Sequence, residues 1–251
     1  MEGGGNSGGV QFTPPRRVNK HSKGGVVTMD LGDRMKLYEG AYRHFLPRRV
    51  PVIIRLDGRA FHTLTKDMER PFDKKFSNIM CNTATYLVND IQNARVAYVQ
   101  SDEISLLLID YNKFDTQQWF DGNIQKMTSV SASMASSVFS LYLNKGAQFD
   151  SRVFTLPESD VVNYFIWRQQ DWTRNSIQMV AQSLYSHKEL HKKNCTELQE
   201  MIFQKGQNWN DLSNRWKRGA CVDKDLHLQI DIPEFSKDRK YIQKYMTIEE
   251  E

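Results

Sequence analysis

The order of apolar segments constrains the fold of this 251-residue chain more than any other feature. Short runs rich in aliphatic and β-branched residues, which are typical of strands, cover 51–56, 95–99, 104–109 and 152–156. Between them, apolar residues recur at helical spacing over 76–91 and 123–143. The resulting order is strand, helix, strand, strand, helix, strand, which is the order of ferredoxin-like domains. We therefore predict an α+β fold with this core.

Two carboxylates stand at the ends of these predicted strands. Asp57 follows the strand 51–56, and Asp102 lies near the turn between the strands 95–99 and 104–109. If the first strand lies beside that hairpin, both carboxylates reach one edge of the sheet. They repel each other there unless a positive charge lies between them. A pair of divalent metal ions about 3.5–4 Å apart is the usual answer, and such pairs catalyse phosphoryl and nucleotidyl transfer.

Palm domains of polymerases and nucleotide cyclases share this order of elements and place metal-binding Asp residues at these two positions. We therefore predict a palm-like core, although Asp57-Gly58 is also ordinary turn chemistry. Adjacent acids in a turn, such as Asp102 and Glu103, are usually solvated. The apolar residues on both sides argue for burial, where an unpaired charge costs several kcal/mol. Glu103 either supports a metal ligand or faces away.

Composition and charge define the setting and the domain limits. A net charge of +4 is compatible with a polyanionic partner, and the three separated cysteines indicate neither a disulfide framework nor a cysteine zinc site. This cysteine usage fits a reducing, cytoplasmic setting, which we expect. No apolar run approaches a membrane span, so we expect no membrane contact. Gly-rich residues 1–28 are predicted to be a flexible tail, 29–157 the palm-like catalytic domain, and 158–251 a mainly helical region packed on the palm.

Three segments resemble the tRNA-His guanylyltransferase family, whose members are 3′-to-5′ RNA polymerases. They are Arg-Leu-Asp-Gly-Arg-Ala-Phe-His at 55–62, Gln-Ser-Asp-Glu-Ile-Ser at 100–105, and Tyr-Phe-Ile-Trp-Arg-Gln-Gln-Asp at 164–171. Residues 188–190 and 193–194 match less strongly. The resemblance covers about residues 30–225. It implies a palm in which Asp57, the Gly58 carbonyl and Asp102 hold two Mg²⁺ ions, with Asp57 and Asp102 catalytic.

The resemblance also implies GTP and ATP as substrates and the 5′ end of tRNA as partner, gripped by a homotetramer. The backbone amides of 58–62 would hold a triphosphate, although His62 is nearly as well explained as a structural residue. The predicted nucleotide-binding residues are Asp57, Gly58, Arg59, Ala60, Phe61, His62, Ser101, Asp102 and Lys126. The predicted tRNA-binding residues are Arg168, Arg174, Asn175, Lys188, Lys193 and Asn194.

One departure from the family affects the substrate. Eukaryotic members carry His-Ile-Asn-Asn-Leu-Tyr-Asn where this chain has Thr-Arg-Asn-Ser-Ile-Gln-Met at 173–179, and only Asn175 coincides. This places the chain nearer the guanylyltransferase-like branch, which repairs truncated tRNA 5′ ends by templated addition. The alternatives are a strict tRNA-His guanylyltransferase that adds G without a template, a palm-type nucleotide cyclase, and a non-catalytic RNA-binding module.

Overall fold

The computed structural model describes residues 29–113 and 115–247. The predicted tail, 1–28, lies outside the described residues. The chain divides into two compact units, Met1–Tyr42 and Arg43–Glu251. In the first unit, helix α1 covers Leu31–Gly40, and the Asp30 carboxylate caps it by accepting a hydrogen bond from the Gly32 amide (3.1 Å). The predicted boundaries of the catalytic and C-terminal domains stay predictions.

The second unit is built on one antiparallel sheet with the strand order β4-β1-β3-β2-β5-β6. The strands are β1 Val52–Gly58, β2 Ala94–Gln100, β3 Glu103–Leu108, β4 Phe149–Thr155, β5 Ala220–Asp223 and β6 Leu228–Gln229. The first four are the strands that the sequence predicts, so the α+β class is confirmed. The last two extend the sheet from the C-terminal region.

Helices cover both faces of this sheet. Those of the second unit are α2 Phe61–Leu64, α3 Lys74–Asp90, α4 Ile124–Leu143, α5 Glu158–Leu184, α6 His187–Leu190, α7 Cys195–Gln204, α8 Asn214–Arg218 and α9 Lys240–Gln243. The long helices α3 and α4 follow β1 and β3 as predicted. No helix of the described residues combines the length and the apolar character that a membrane span requires.

The alternation of side chains along the strands creates two cores. Ile54 and Leu56 of β1 point to the face that α3 and α4 cover, in a cluster with Leu87 and Phe139. Ile53 points to the opposite face, where it joins a second cluster with residues of α5 such as Phe165. Because both faces are buried, the strands are apolar on both sides except near the edge that carries Asp57.

The pairing of β1 determines the position of Asp57. The strand β1 ends at Gly58, within the stop that the sequence predicts at 56–58, whereas β4 begins at Phe149, three residues before the predicted strand 152–156. Asp57 is paired with Glu103 of β3 on one side and with Asp150 of β4 on the other. Paired residues in antiparallel strands carry their side chains on the same face. Asp57 therefore lies between two other acids.

Candidate active site

A backbone hydrogen bond connects the two candidate metal ligands. The Gly58 amide, next to Asp57, donates to the carbonyl oxygen of Asp102 (3.0 Å). Asp102 occupies the two-residue turn between β2 and β3, and its neighbour Ser101 adopts a left-handed conformation with φ 45°. The end of β1 and the tip of this hairpin are thus fixed to each other, as the sequence predicts for one edge of the sheet.

Neither carboxylate has its charge fully compensated, although the charges of Arg55 and Arg152 lower the pKa of Asp57 in part. Burial, and next the neighbouring Glu103, raises the pKa of Asp57. Burial is also the main reason that the pKa of Asp102 rises to about 6, and the negative charge of Asp57 contributes. Among the described residues, neither carboxylate forms an ion pair within 4 Å. Such a pair has the chemistry of a cation site, and the Gly58 carbonyl adds a third oxygen of the kind Mg²⁺ prefers.

Gly58 has a packing role as well as its place beside Asp57. A Cβ added to Gly58 would lie 2.5 Å from Cγ of Phe61. The Phe61 ring is buried beside Phe139 and Phe149, with centroid distances of 5.1 and 5.0 Å. A side chain at position 58 would therefore displace an aromatic anchor of the core. The Phe61 side chain belongs to this core, so only its backbone amide remains a candidate for nucleotide contact.

The structure reduces the number of backbone amides at 58–62 that could bind a triphosphate. The Gly58 amide donates to Asp102, and the Arg59 amide donates to the Gln148 carbonyl (2.8 Å). These two amides are therefore not available to a phosphate, which corrects the sequence prediction. The amides of the next three residues, 60–62, stand at the start of α2, where N–H groups have no intrahelical acceptor. The Arg59 and His62 side chains are exposed at this loop.

Glu103 is the charged centre of the site, and the sequence left its role open. Arg55 donates to its Oε2 from Nε (2.9 Å), and Arg168 donates from Nε to Oε1 (2.8 Å) and from Nη2 to Oε2 (2.7 Å). The Gln100 amide and the Ser105 hydroxyl donate to Oε1 at 3.0 and 3.2 Å. All three sequence motifs meet at this carboxylate. The alternation of side chains along β3 puts Glu103 and Ser105 on the same face, which α5 covers. This alternation was the sequence signal that could have indicated that Glu103 points into the protein.

Arg168 is not a tRNA contact in this structure, which corrects a second prediction. Its side chain is 5% exposed and bonds Glu103 and, through Nη2, Asp171 (2.9 Å). Its guanidinium also lies over the Trp167 ring, 4.4 Å from the centroid. Burial would lower the pKa of Arg168, but the hydrogen bonds and charge of Glu103 raise it, so it stays cationic. Nearby, burial raises the pKa of Tyr164 to about 12.

The remaining predicted contacts lie on the surface of the chain. Lys126 is exposed at the start of α4, with its ammonium 5.9 Å from the Phe120 ring centroid. Arg174 pairs with Asp171 (2.7 Å), and Asn175 beside it is exposed. The other three follow α5 and are exposed: Lys188, Lys193 and Asn194. The last of these caps α7 by accepting from the Glu197 amide (3.0 Å), which is a structural reason for an Asn there.

We expect Asp102→Asn to stabilise the metal-free protein. A raised pKa means that the folded state favours protonated Asp102, so its stabilising contribution is lost as the pH rises through about 6. At pH 8 in EDTA, the variant should exceed the wild type by about 1–2 kcal/mol in unfolding free energy. The gap should close toward pH 4. Urea denaturation at both pH values measures this difference, and a less stable variant at pH 8 contradicts the assigned cost of burying the charged carboxylate.

We expect Glu103→Gln to cost about 3–5 kcal/mol of unfolding free energy, because it leaves buried guanidinium groups without their counterion. Asp171→Asn is the matched control, since Asp171 also bonds Arg168 but its side chain is 29% exposed. The control should cost about 1 kcal/mol or less. Chemical denaturation of both variants provides the comparison, and equal losses would show that Glu103 is not the dominant partner.

Comparison with known proteins identifies the family. The family model described as "Thg1: tRNAHis guanylyltransferase" matches residues 32–157. The solved structure of a bacterial tRNA(His) guanylyltransferase-like protein in complex with ATP is 45% identical, has a TM-score of 0.85, and is matched over 86% of this chain and 99% of that one. The corresponding complex with GTP is 44% identical, with a TM-score of 0.77 over 86% and 98%.

A curated relative from Acanthamoeba polyphaga mimivirus, the uncharacterized protein R259, is 27% identical over 80% of this chain and 79% of its own length. The match of the family model covers β1 to β4, and therefore both Asp57 and Asp102. The structural similarity extends beyond this match to most of the C-terminal region. The chain therefore belongs to the tRNAHis guanylyltransferase family, a family of nucleotidyltransferases.

Proposed function

We propose that this chain is a Mg²⁺-dependent nucleotidyltransferase that adds nucleotides, GTP foremost, to the 5′ end of tRNA in the 3′-to-5′ direction. The observation that carries the proposal is the pair of half-buried carboxylates, Asp57 and Asp102, whose backbones are joined by the bond from the Gly58 amide to the Asp102 carbonyl. Their raised pKa values reflect negative charge that a divalent cation would compensate. The position of the pair at the end of β1 and in the β2–β3 turn supports the proposal of a palm-like site.

The proposed substrates follow from the site and from its relatives. Similar proteins with 45% and 44% identity have been solved with ATP and with GTP. In this chain, the amides at 60–62 and the exposed Arg59 and His62 side chains would contact the triphosphate, with Ser101 beside it. Lys126 is a further candidate for a phosphate contact, because its ammonium lies on the surface at the start of α4.

The chain's own residues would position the reacting groups. Asp57, the Gly58 carbonyl and Asp102 would hold two Mg²⁺ ions, which supply Lewis-acid stabilisation of the developing negative charge and favour deprotonation of the attacking hydroxyl. The 3′-OH of the incoming nucleotide attacks the α-phosphate of an activated tRNA 5′ end. The bond to the leaving AMP or pyrophosphate breaks as the new phosphodiester forms. Arg55 and Arg168 keep Glu103, and through it the hairpin, in place.

The RNA would lie on surfaces away from the buried cluster. Arg174, Asn175, Lys188 and Lys193 are exposed, and they are the residues that we propose to contact tRNA. Asn194 joins them through the part of its amide that does not cap α7. A homotetramer is the proposed assembly, since the family resemblance implies that the tRNA is gripped by more than one subunit.

Templated repair is the proposed form of the reaction. The two solved structures with the highest identity cited above are named guanylyltransferase-like proteins. The segment 173–179 retains only Asn175 of the eukaryotic motif that accompanies strict tRNA-His selection. Both observations favour a substrate range that is wider than tRNA-His.

Asp57→Ala should abolish nucleotide addition, with a loss of at least about 10³-fold, because it removes an oxygen that the metal ions share. Asp150→Asn is the matched control, since Asp150 faces Asp57 across the β1–β4 pair but its side chain is 52% exposed and near Arg152. The control should retain activity within about threefold. Incorporation of labelled GTP into tRNA measures both, and an active Asp57→Ala variant contradicts the metal assignment.

Incubation with a 5′-triphosphorylated tRNA that lacks its first nucleotide tests the templated reaction. Each NTP is supplied separately, and the base opposite the missing position is varied among four transcripts. We expect incorporation to follow Watson–Crick complementarity to that base. Addition of G whatever the opposite base would show strict guanylylation instead. A cyclic product from NTP alone would show a cyclase, and no Mg²⁺-dependent NTP binding would indicate a non-catalytic module.

A further inference from the structure

Trp167 is an exposed aromatic residue of the motif 164–171 that the proposed reaction does not use. It is 49% exposed, whereas Tyr164 and Phe165 of the same motif are buried. A single exposed aromatic side chain is common on protein surfaces and needs no explanation by itself. The surroundings of Trp167 therefore decide whether its ring could bind a ligand.

The indole of Trp167 is held in place from the protein side. The Arg168 guanidinium lies over the ring, 4.4 Å from its centroid, and Tyr164 packs edge-on against it at 6.0 Å. Arg168 is itself fixed by its two hydrogen bonds to Glu103. Because the guanidinium covers one face of the indole, the opposite face is the one available for stacking. A ring that is already fixed loses little entropy when a flat group stacks on it.

Trp167 lines a groove with a volume of about 680 Å³. This volume lies within the range of ligand-binding sites and exceeds that of a nucleobase. Trp209 is a second indole in the lining, and Gln170 and Thr173 supply polar groups. The groove can therefore hold a flat heterocycle against an aromatic ring.

The lining of this groove carries more positive than negative charge. Its acid is Glu234, and its four cationic residues are Arg174, Lys217, Arg218 and Lys237. Arg174 and Lys237 are paired with acids. Lys217 and Arg218 are half-buried and donate to backbone carbonyl oxygens, and neither forms an ion pair within 4 Å in the described chain. The groove therefore keeps positive charge that an anionic ligand would compensate.

We propose that this groove binds a single-stranded segment of the RNA substrate, with an unpaired base stacked on the open face of Trp167 and phosphates beside Lys217 and Arg218. The combination of an aromatic face with unpaired cations is what single-stranded nucleic acid requires, and such stacking accepts any base. This inference rests on the proposed function, because it takes RNA as the partner. It adds these three residues to the RNA contacts proposed above.

Trp167→Leu tests the stacking because it keeps an apolar side chain and removes the aromatic face. Binding of a single-stranded RNA of eight adenylates, measured by fluorescence anisotropy, should weaken at least about fivefold, the loss of one base–aromatic stack. Inorganic polyphosphate, which has no bases, should bind both proteins with the same Kd. Mg²⁺ with GTP should also bind both equally, because the bonds of Arg168 to Glu103 do not depend on the Trp167 ring.

Tyr142→Leu is the matched control for the loss of an exposed aromatic ring. Tyr142 is 50% exposed on α4 and does not line the groove. This variant should bind the adenylate RNA, polyphosphate and GTP like the wild type.

Lys217→Gln tests the phosphate contact separately. It should weaken the adenylate RNA and polyphosphate alike, and it should reduce the slope of log Kd against log salt concentration by about 0.7, the value for one phosphate of a single strand. Trp167→Leu should leave this slope unchanged, because a stacked base releases no counterion. An unchanged slope in Lys217→Gln contradicts the assigned phosphate contact.

Three outcomes overturn the stacking assignment. In the first, Trp167→Leu binds the adenylate RNA as tightly as the wild type. In the second, it weakens polyphosphate or GTP by the same factor as the RNA, which shows that the change acts through charge or through the buried ion cluster. In the third, light scattering shows a smaller assembly for the variant, because the groove would then hold a second copy of the chain.

The failure of this inference and the failure of the proposed function are distinguishable. If the wild type binds neither tRNA nor the adenylate RNA, RNA is not the partner, and the groove assignment falls with the proposed function. If the wild type binds tRNA but not the adenylate RNA, or if Trp167→Leu changes neither affinity, only the groove assignment is wrong.

Discussion

The buried carboxylate of Glu103, bonded by Arg55 and Arg168, is the interaction on which the rest of the site depends. It connects residues that are 48 and 65 positions apart in the sequence, and so joins β1, β3 and α5 at one point. A buried ion cluster of this kind adds little net stability over an apolar core, because the desolvation of three charges offsets their attraction. Its effect is geometric. Glu103 follows Asp102 and faces Asp57, so its bonds fix the position of both.

The positions of the neighbouring cations explain why Glu103 is structural, whereas Asp57 and Asp102 remain available to bind a cation. The guanidinium groups of half-buried Arg55 and buried Arg168 both bond Glu103, and neither forms an ion pair within 4 Å of Asp57 or Asp102 in the described chain. Burial raises the pKa of these two carboxylates, and the charges of Arg55 and Arg152 offset this effect only in part at Asp57. The protein therefore fixes the positions of Asp57 and Asp102 but does not neutralise their negative charge. A partly buried carboxylate without a close ion pair is suited to bind a cation, unlike an acid whose only role is to cap a turn.

The order of elements and the two acids were predictable because each depends on local pattern. Apolar runs and helical spacing determine strands and helices, and an acid at a strand end is visible in the sequence. The partners of Glu103 were not predictable, because Arg168 becomes buried only when α5 packs on the sheet. The same packing turned a predicted tRNA contact into a scaffold residue. The loss of the Gly58 and Arg59 amides as phosphate donors depends on strand pairing, which no spacing in the sequence reveals.

Gln100 belongs to the same scaffold through one end of its amide. Its nitrogen donates to Glu103 (3.0 Å), and its oxygen is buried without a hydrogen-bond partner among the described residues. The amide cannot turn to satisfy this oxygen without breaking its bond to Glu103. The unpartnered oxygen and the two half-buried acids therefore share one cause: the contacts of Glu103 determine the position of the hairpin, and these groups stay in surroundings that lower the stability of the folded chain. At the acids, a bound divalent cation would reduce this cost.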